Sequence, residues 1–182
     1  MTNRPSITTR IGDKGTTQLF SGETVSKNGP QTNAYGDLDE VVSLLGIARS
    51  LTPRATTAKR LIGLQRELFV LGAELATTTG AKELLGRRVD DAMLAALEAE
   101  REALEAAITM PTGFVLPGGT PAAAHLDLAR AVARRCERKT VGLVEAGLLD
   151  NPLVVIWLNR LSDYLWLLAR AEEGEHTLPK DA

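Results

Sequence analysis

Three segments of this 182-residue chain combine residue types and spacings able to do chemistry. The first is Thr8-Thr9-Arg10-Ile11-Gly12-Asp13-Lys14-Gly15-Thr16-Thr17. Gly12 and Gly15 permit close backbone approach, hydroxyls flank them, and Arg10 and Lys14 add positive charge. Such a segment could wrap a polyphosphate with N–H groups and cations. It is not the G-x-x-x-x-G-K-S/T phosphate loop, and a Gly/Thr-rich turn without a ligand is the other reading.

The second segment places Asp127, Arg130, Arg134, Glu137 and Arg138 three or four residues apart, so they project as a polar stripe along one side of a helix. Between Thr120 and Thr140 there are five basic and two acidic residues, a local +3 in a chain of net charge -2, which suits an anionic ligand. A solvated face laced with ion pairs is the competing explanation. The third segment, Asn159-x-x-x-Asp163-x-x-Trp166-x-x-x-Arg170, is another stripe, set among Leu158, Leu161, Leu165, Leu167 and Leu168. Polar groups in so apolar a helix must pair, because unpaired burial costs about 1 to 3 kcal/mol each. A structural network accounts for this stripe as well as a ligand site does.

Other chemistry is thinly represented. His125 and His176 are the only histidines and Cys136 the only cysteine, which excludes an internal disulfide and a Cys/His zinc cluster from one chain. No Ser/His/Asp or Cys/His arrangement stands out. Cys136 reads as a small packing residue. Asp37, Asp39 and Glu40 cluster near the start of a helix, where the macrodipole favours carboxylates.

The elements that must position these residues are helical. From Ala34 to Leu51, Leu38, Val41, Val42, Leu45 and Ala48 share one face, and from about Thr57 to Thr78 a leucine seam runs through Leu61, Leu64, Leu68, Leu71 and Leu75. Asp90 caps a third helix lined by Met93, Leu97, Leu104 and Ile108 and stopped by Pro111 and Gly113. Thr120-Pro121 opens a fourth, reaching toward Gly147, and Asn151-Pro152 opens a fifth, running to about Glu173. The expected fold is all-α: a single domain over 1–182, with an irregular arm at 1–33, a five-helix bundle at 34–173 and a polar tail at 174–182.

Composition agrees. Aromatic residues make up only 4% of the chain and the apolar fraction is largely Leu, Ala and Val, which argues against a large β-sandwich. The most hydrophobic stretch, Leu153 to Ala169, is broken by Asn159, Arg160, Ser162 and Asp163, so it reads as a packed helix and not a membrane span. The first residues lack the apolar core of an export signal. A cytoplasmic setting is expected, with neither membrane nor nucleic acid as partner.

Six segments in order, TRIGDKGTT, VSKNGP, AYGDLDE, FVLPGG, ARAVARRCERKTV and NRLSDYLWLLAR, resemble the PduO-type ATP:cob(I)alamin adenosyltransferases across nearly the whole chain. The resemblance implies a homotrimer with active sites between subunits, and ATP, Mg²⁺ and cobalamin as ligands. It assigns ATP to Thr9, Arg10, Gly12, Asp13, Lys14, Thr17 and Lys27 of the arm and to Arg134, Arg135, Glu137, Arg138 and Asn159 of the bundle. Cobalamin falls to Phe114, Asp163 and Trp166, and the catalytic group comprises Arg130, Arg134, Asp39 and Phe114, with Asp39 and Arg130 matching an ion pair between subunits. By the same resemblance the arm residues hold the Mg²⁺ that accompanies the triphosphate, with no individual metal ligand singled out.

The implied reaction needs little acid–base chemistry. Co(I) attacks the 5′ carbon of ATP and expels triphosphate, so the protein mainly orients the reactants and stabilises charge. Reduction of cob(II)alamin to cob(I)alamin is the hard step, and the family displaces the lower axial ligand with hydrophobic side chains, here Phe114 and Trp166. An electron-donating reductase and an adenosylcobalamin-dependent mutase are implied partners. The chain departs from the family's pattern in having Asp127 where His is common, in the Lys27-Asn28-Gly29-Pro30 turn, and in a tail without aromatics. Two alternatives accompany this reading: a non-catalytic cobalamin carrier, and a structural trimer whose polar stripes are ion-pair networks.

Overall fold

Pro30 at the first helical position, preceded by an extended Gly29, starts helix α1 (Pro30–Leu51) four residues before the apolar periodicity becomes visible. Its first turn is closed by Thr32, whose hydroxyl donates to the carbonyls of Gly29 (2.7 Å) and Ser26 (3.1 Å). The chain continues through α2 (Ala55–Leu75), a short 3₁₀ segment (Thr79–Leu84), α3 (Asp91–Ala107), α4 (Pro121–Glu145) and α5 (Leu153–Glu173). Asp90 and Thr120 cap as their types dictate: Asp90 accepts from Met93 N at 2.8 Å and Thr120 from Ala123 N at 3.1 Å. Asn151 accepts from Leu153 N at 3.2 Å, while its amide is drawn to Glu74 and Val89.

The computed structural model describes residue 8 and residues 10–179. It places α1 against α2 and α4, α4 against α5, and α5 against α3. Ala34, Leu38, Val41, Leu45 and Ala48 of α1 meet Leu126, Ala129, Val132, Ala133 and Cys136 of α4 in the core. Alanines on both helices allow close approach of the backbones, which is why a core with few aromatic residues packs well. Helix α5 buries Trp157, Leu158, Leu161, Tyr164, Leu165 and Leu168, as a helix covered on two sides must.

The arm is more ordered than its composition suggests. A 3₁₀ turn (Ile11–Lys14) leads into an antiparallel hairpin of β1 (Thr16–Gln18) and β2 (Thr24–Ser26), with Thr17 opposite Val25. Gly15, at φ 81°, sits in the left-handed region that closes the turn. Among the described residues no helix is long and apolar enough to cross a membrane.

Candidate functional site

The polar stripe of α4 divides between two neighbours. Arg135 and Lys139 lean onto α1: Arg135 Nε lies 3.1 Å from Asp37 Oδ2 and its Nη2 pairs with Glu40, while Lys139 Nζ reaches Asp37 Oδ1 at 2.8 Å and the Asn33 carbonyl at 3.2 Å. Glu137 faces α5, where Asn159 Nδ2 donates to it at 3.3 Å; Arg160 donates to Asn159 Oδ1 (3.0 Å) and to Glu98 of α3 (2.9 Å). Arg134 and Arg138 are exposed, and among the described residues neither forms an ion pair. These two remain available to an anion, whereas Arg135 is committed to α1.

One turn toward the N-terminus of α4, a cavity of about 600 Å³ opens between the loop before α4 and α5. Phe114, Val115 and Pro117 form one wall; Asp127, Arg130, Trp166 and Arg170 form the other. Phe114 is 90% exposed, so its ring is presented to the cavity without being packed into the core. Asp127 is buried and accepts from Arg170 Nη2 at 2.6 Å; Arg130 Nε stands 3.7 Å from the same carboxylate. The Arg170 guanidinium also lies 5.4 Å from the Trp166 ring centre, a cation–π contact that orients both groups. Asp163, one turn before Trp166, is exposed and does not line this cavity.

On the arm, Lys27 crosses Gly12 so closely that a Cβ there would lie 2.7 Å from Lys27 Nζ. Lys27 N also donates to the Gly15 carbonyl at 2.9 Å, joining the two ends of the hairpin. Arg10 adopts φ 59°, Asp13 and Lys14 are exposed, and Thr17 lies near Tyr35, whose phenol pKa is raised by burial. Thr9 lies outside the described residues. The arm thus sets Lys27 against Gly12, within the segment that carries Arg10 and Lys14.

Asp39 lies elsewhere, at a second cavity of about 580 Å³ between α1, α2 and the hairpin, with Phe20, Tyr35, Leu38, Phe69 and Gly72. Phe20 and Phe69 are 63% and 72% exposed there. Asp39 and Arg130 thus occupy different cavities of one chain and form no ion pair within it among the described residues. Cys136 is sealed beneath the stripe, donating to the Ala34 carbonyl at 3.4 Å, and burial pushes its thiol up to about 12.

A model of the cobalamin adenosyltransferase family matches residues 7–172. The chain belongs to that family. It is 37% identical over 171 residues to the corrinoid adenosyltransferase PduO of Salmonella typhimurium, covering 93% of this chain and 50% of that protein. The chain therefore spans about half the length of the first curated relatives it matches. A shorter corrinoid adenosyltransferase of Citrobacter freundii is 38% identical, with 92% of this chain and 94% of that one covered. Among solved structures, a single-substitution variant of a PduO-type ATP:corrinoid adenosyltransferase from Lactobacillus reuteri, complexed with cobalamin and ATP, superposes with a TM-score of 0.88. That pair is 31% identical over 95% of this chain and 98% of the other.

Two residues beside the family segments escaped the sequence reading. Glu172 accepts from Thr52 and Thr57, both at 2.7 Å, and so fastens the α1–α2 turn; Glu173 accepts from Gly119 N at 3.2 Å and from Arg170. Consecutive glutamates at a helix C-terminus look solvated in sequence, and only the loops folding back over them reveal otherwise. Two glycines at the end of FVLPGG are the available signal. Gly118 adopts φ 119°, and a Cβ on Gly119 would lie 2.8 Å from Glu173 Cγ.

Proposed function

We propose that the chain transfers the 5′-deoxyadenosyl group of ATP to cob(I)alamin, giving adenosylcobalamin and triphosphate. The observation that carries this reading is the convergence of Phe114 and Trp166, 52 residues apart in sequence, on one large cavity edged by Arg130 in a chain of this family. An aromatic ring held out on a loop and an indole braced by a guanidinium suit the flat face of a corrin and exclude water from beneath it. With a corrin bound, Phe114 would fill apolar space beside it, exclude water and favour the base-off form.

The arm supplies Thr9, Arg10, Gly12, Asp13, Lys14, Thr17 and Lys27 to the triphosphate, and the bundle adds Arg134, Glu137, Arg138 and Asn159, with Arg135 shaping the site through its hold on α1. The bond from C5′ to the triphosphate oxygen breaks as the cobalt–carbon bond forms, and these cations stabilise the charge that accumulates on the leaving group. Among the described residues no group of three His, Cys, Asp or Glu side chains could cage a metal ion. The oxygen donors of Asp13 and Thr17 on the arm suit Mg²⁺ arriving on the nucleotide, since Mg²⁺ keeps phosphate and water oxygens and needs only one or two protein ligands. When bound, Mg²⁺ neutralises part of the triphosphate charge.

The unit is a homotrimer in this reading, in the cytoplasm, supplied with electrons by a reductase and delivering product to a mutase. The separation of Asp39 from Arg130 within one chain supports assembly, because a second copy could bring the two cavities together. A pure carrier is less well supported, since the relatives are named as transferases. The test is an anaerobic assay with chemically generated cob(I)alamin and MgATP, with products separated chromatographically. Protein-dependent adenosylcobalamin and stoichiometric triphosphate are expected; binding of both substrates without product would establish the carrier instead.

A further inference from the structure

We infer, resting on the reading that the Phe114 cavity takes cobalamin, that Glu173 is a positioning residue that sets the Phe114 loop over that cavity. Phe114 is 90% exposed, so contacts of its own ring do not fix it; the backbone around it must. That backbone, between α3 and α4, is held at two N–H groups: Leu116 N donates to the Thr177 carbonyl at 2.9 Å, and Gly119 N to Glu173 Oε1 at 3.2 Å.

The Glu173 carboxylate is 1% exposed and is shared. Arg170 donates to it through Nε (2.9 Å) and Nη2 (3.1 Å), and His176 Nδ1 approaches to 3.4 Å. Because Arg170 also binds Asp127 and lies over Trp166, a single carboxylate joins the loop bearing Phe114 to the opposite wall of the cavity. The paired glycines serve this junction: Gly119 lets the loop touch Glu173, and Gly118 turns the chain toward it at φ 119°. Removing the carboxylate strands a buried guanidinium edge and frees the loop amide, so the Phe114 loop loses its fixed position over the cavity.

Glu173→Ala tests this, with the isosteric Glu173→Gln beside it should the alanine variant fold poorly. Expected are a cobalamin KM raised about tenfold with the ATP KM unchanged, partial rescue in Glu173→Gln, and faster hydrogen exchange at the Gly119 amide while α4 stays protected. In a double-mutant cycle, the loss from Glu173→Ala should be much smaller in the Phe114→Ala background than in the parent, because its main effect runs through that ring. Additive losses, or equal rises in both KM values, would overturn the positioning role. A wild-type chain making no adenosylcobalamin, or an unimpaired Phe114→Ala, would instead overturn the reading of the cavity on which the role rests.

Discussion

Arg135 Nε stands 3.1 Å from Asp37 Oδ2, so a guanidinium in the middle of the basic stripe is spent on holding α4 to α1. Asp37 is nearly buried and is flanked by Lys139 as well, which makes it the hub of the contact. Asp37→Ala leaves two cations facing each other and should destabilise the chain by about 1 to 3 kcal/mol. Chemical denaturation checks this, and an unchanged midpoint would show that the pair is energetically idle.

Arg134, one residue earlier, points to solvent and carries no such duty. Arg134→Ala should leave the melting temperature of the unliganded protein unchanged and lower turnover about a hundredfold, the scale of losing one charge-stabilising donor. It should also shrink the stabilisation by saturating MgATP, which for an intact site amounts to about 2.7 kcal/mol at one hundred times Kd. Retained turnover would remove Arg134 from the triphosphate.

Asp39 is exposed beside an apolar cavity and makes no ion pair within its own chain among the described residues. Asp39→Ala should therefore spare the folded monomer and impair both assembly and turnover, read by sedimentation velocity and by product formation. A variant that sediments and turns over like the parent would place the subunit contact elsewhere.

Much of this was legible in the sequence, and the gaps have physical reasons. Asp90 and Thr120 announced their helices because a side-chain oxygen at a cap is a local device, independent of the rest of the fold. The start of α1 was hidden because Gln31, Thr32 and Asn33 fill its first turn with polar side chains, and a glycine stands where a capping side chain would signal. Three-residue strands such as β1 and β2 are too short to show alternation. The α4 stripe was visible as a stripe, but its division between α1 and α5 depends on which neighbours flank the helix. Asp163 and Trp166 share a helical face, yet only Trp166 reaches the cavity.

A like-charge contact gives a prediction in pH. Glu67 lines a cleft between α2 and α3 with Glu100, and burial, then the Glu100 charge, raises its pKa above 4.5. A raised carboxylate pKa means the fold disfavours the charged form, so the resulting cost is present at neutral pH and disappears as pH falls below that value. Glu67→Gln should therefore raise the melting temperature at pH 7, with the gain closing near pH 4. A gain independent of pH would assign it to packing instead.

The burial of Cys136 has a practical side. With the chain's only thiol shut beneath Ala34, a cysteine introduced at Phe69 would be the one accessible handle for a maleimide dye. Such a fluorophore would sit on the wide apolar face beside Asp39, where its emission would report, without any turnover, what comes to cover that face as protein concentration rises.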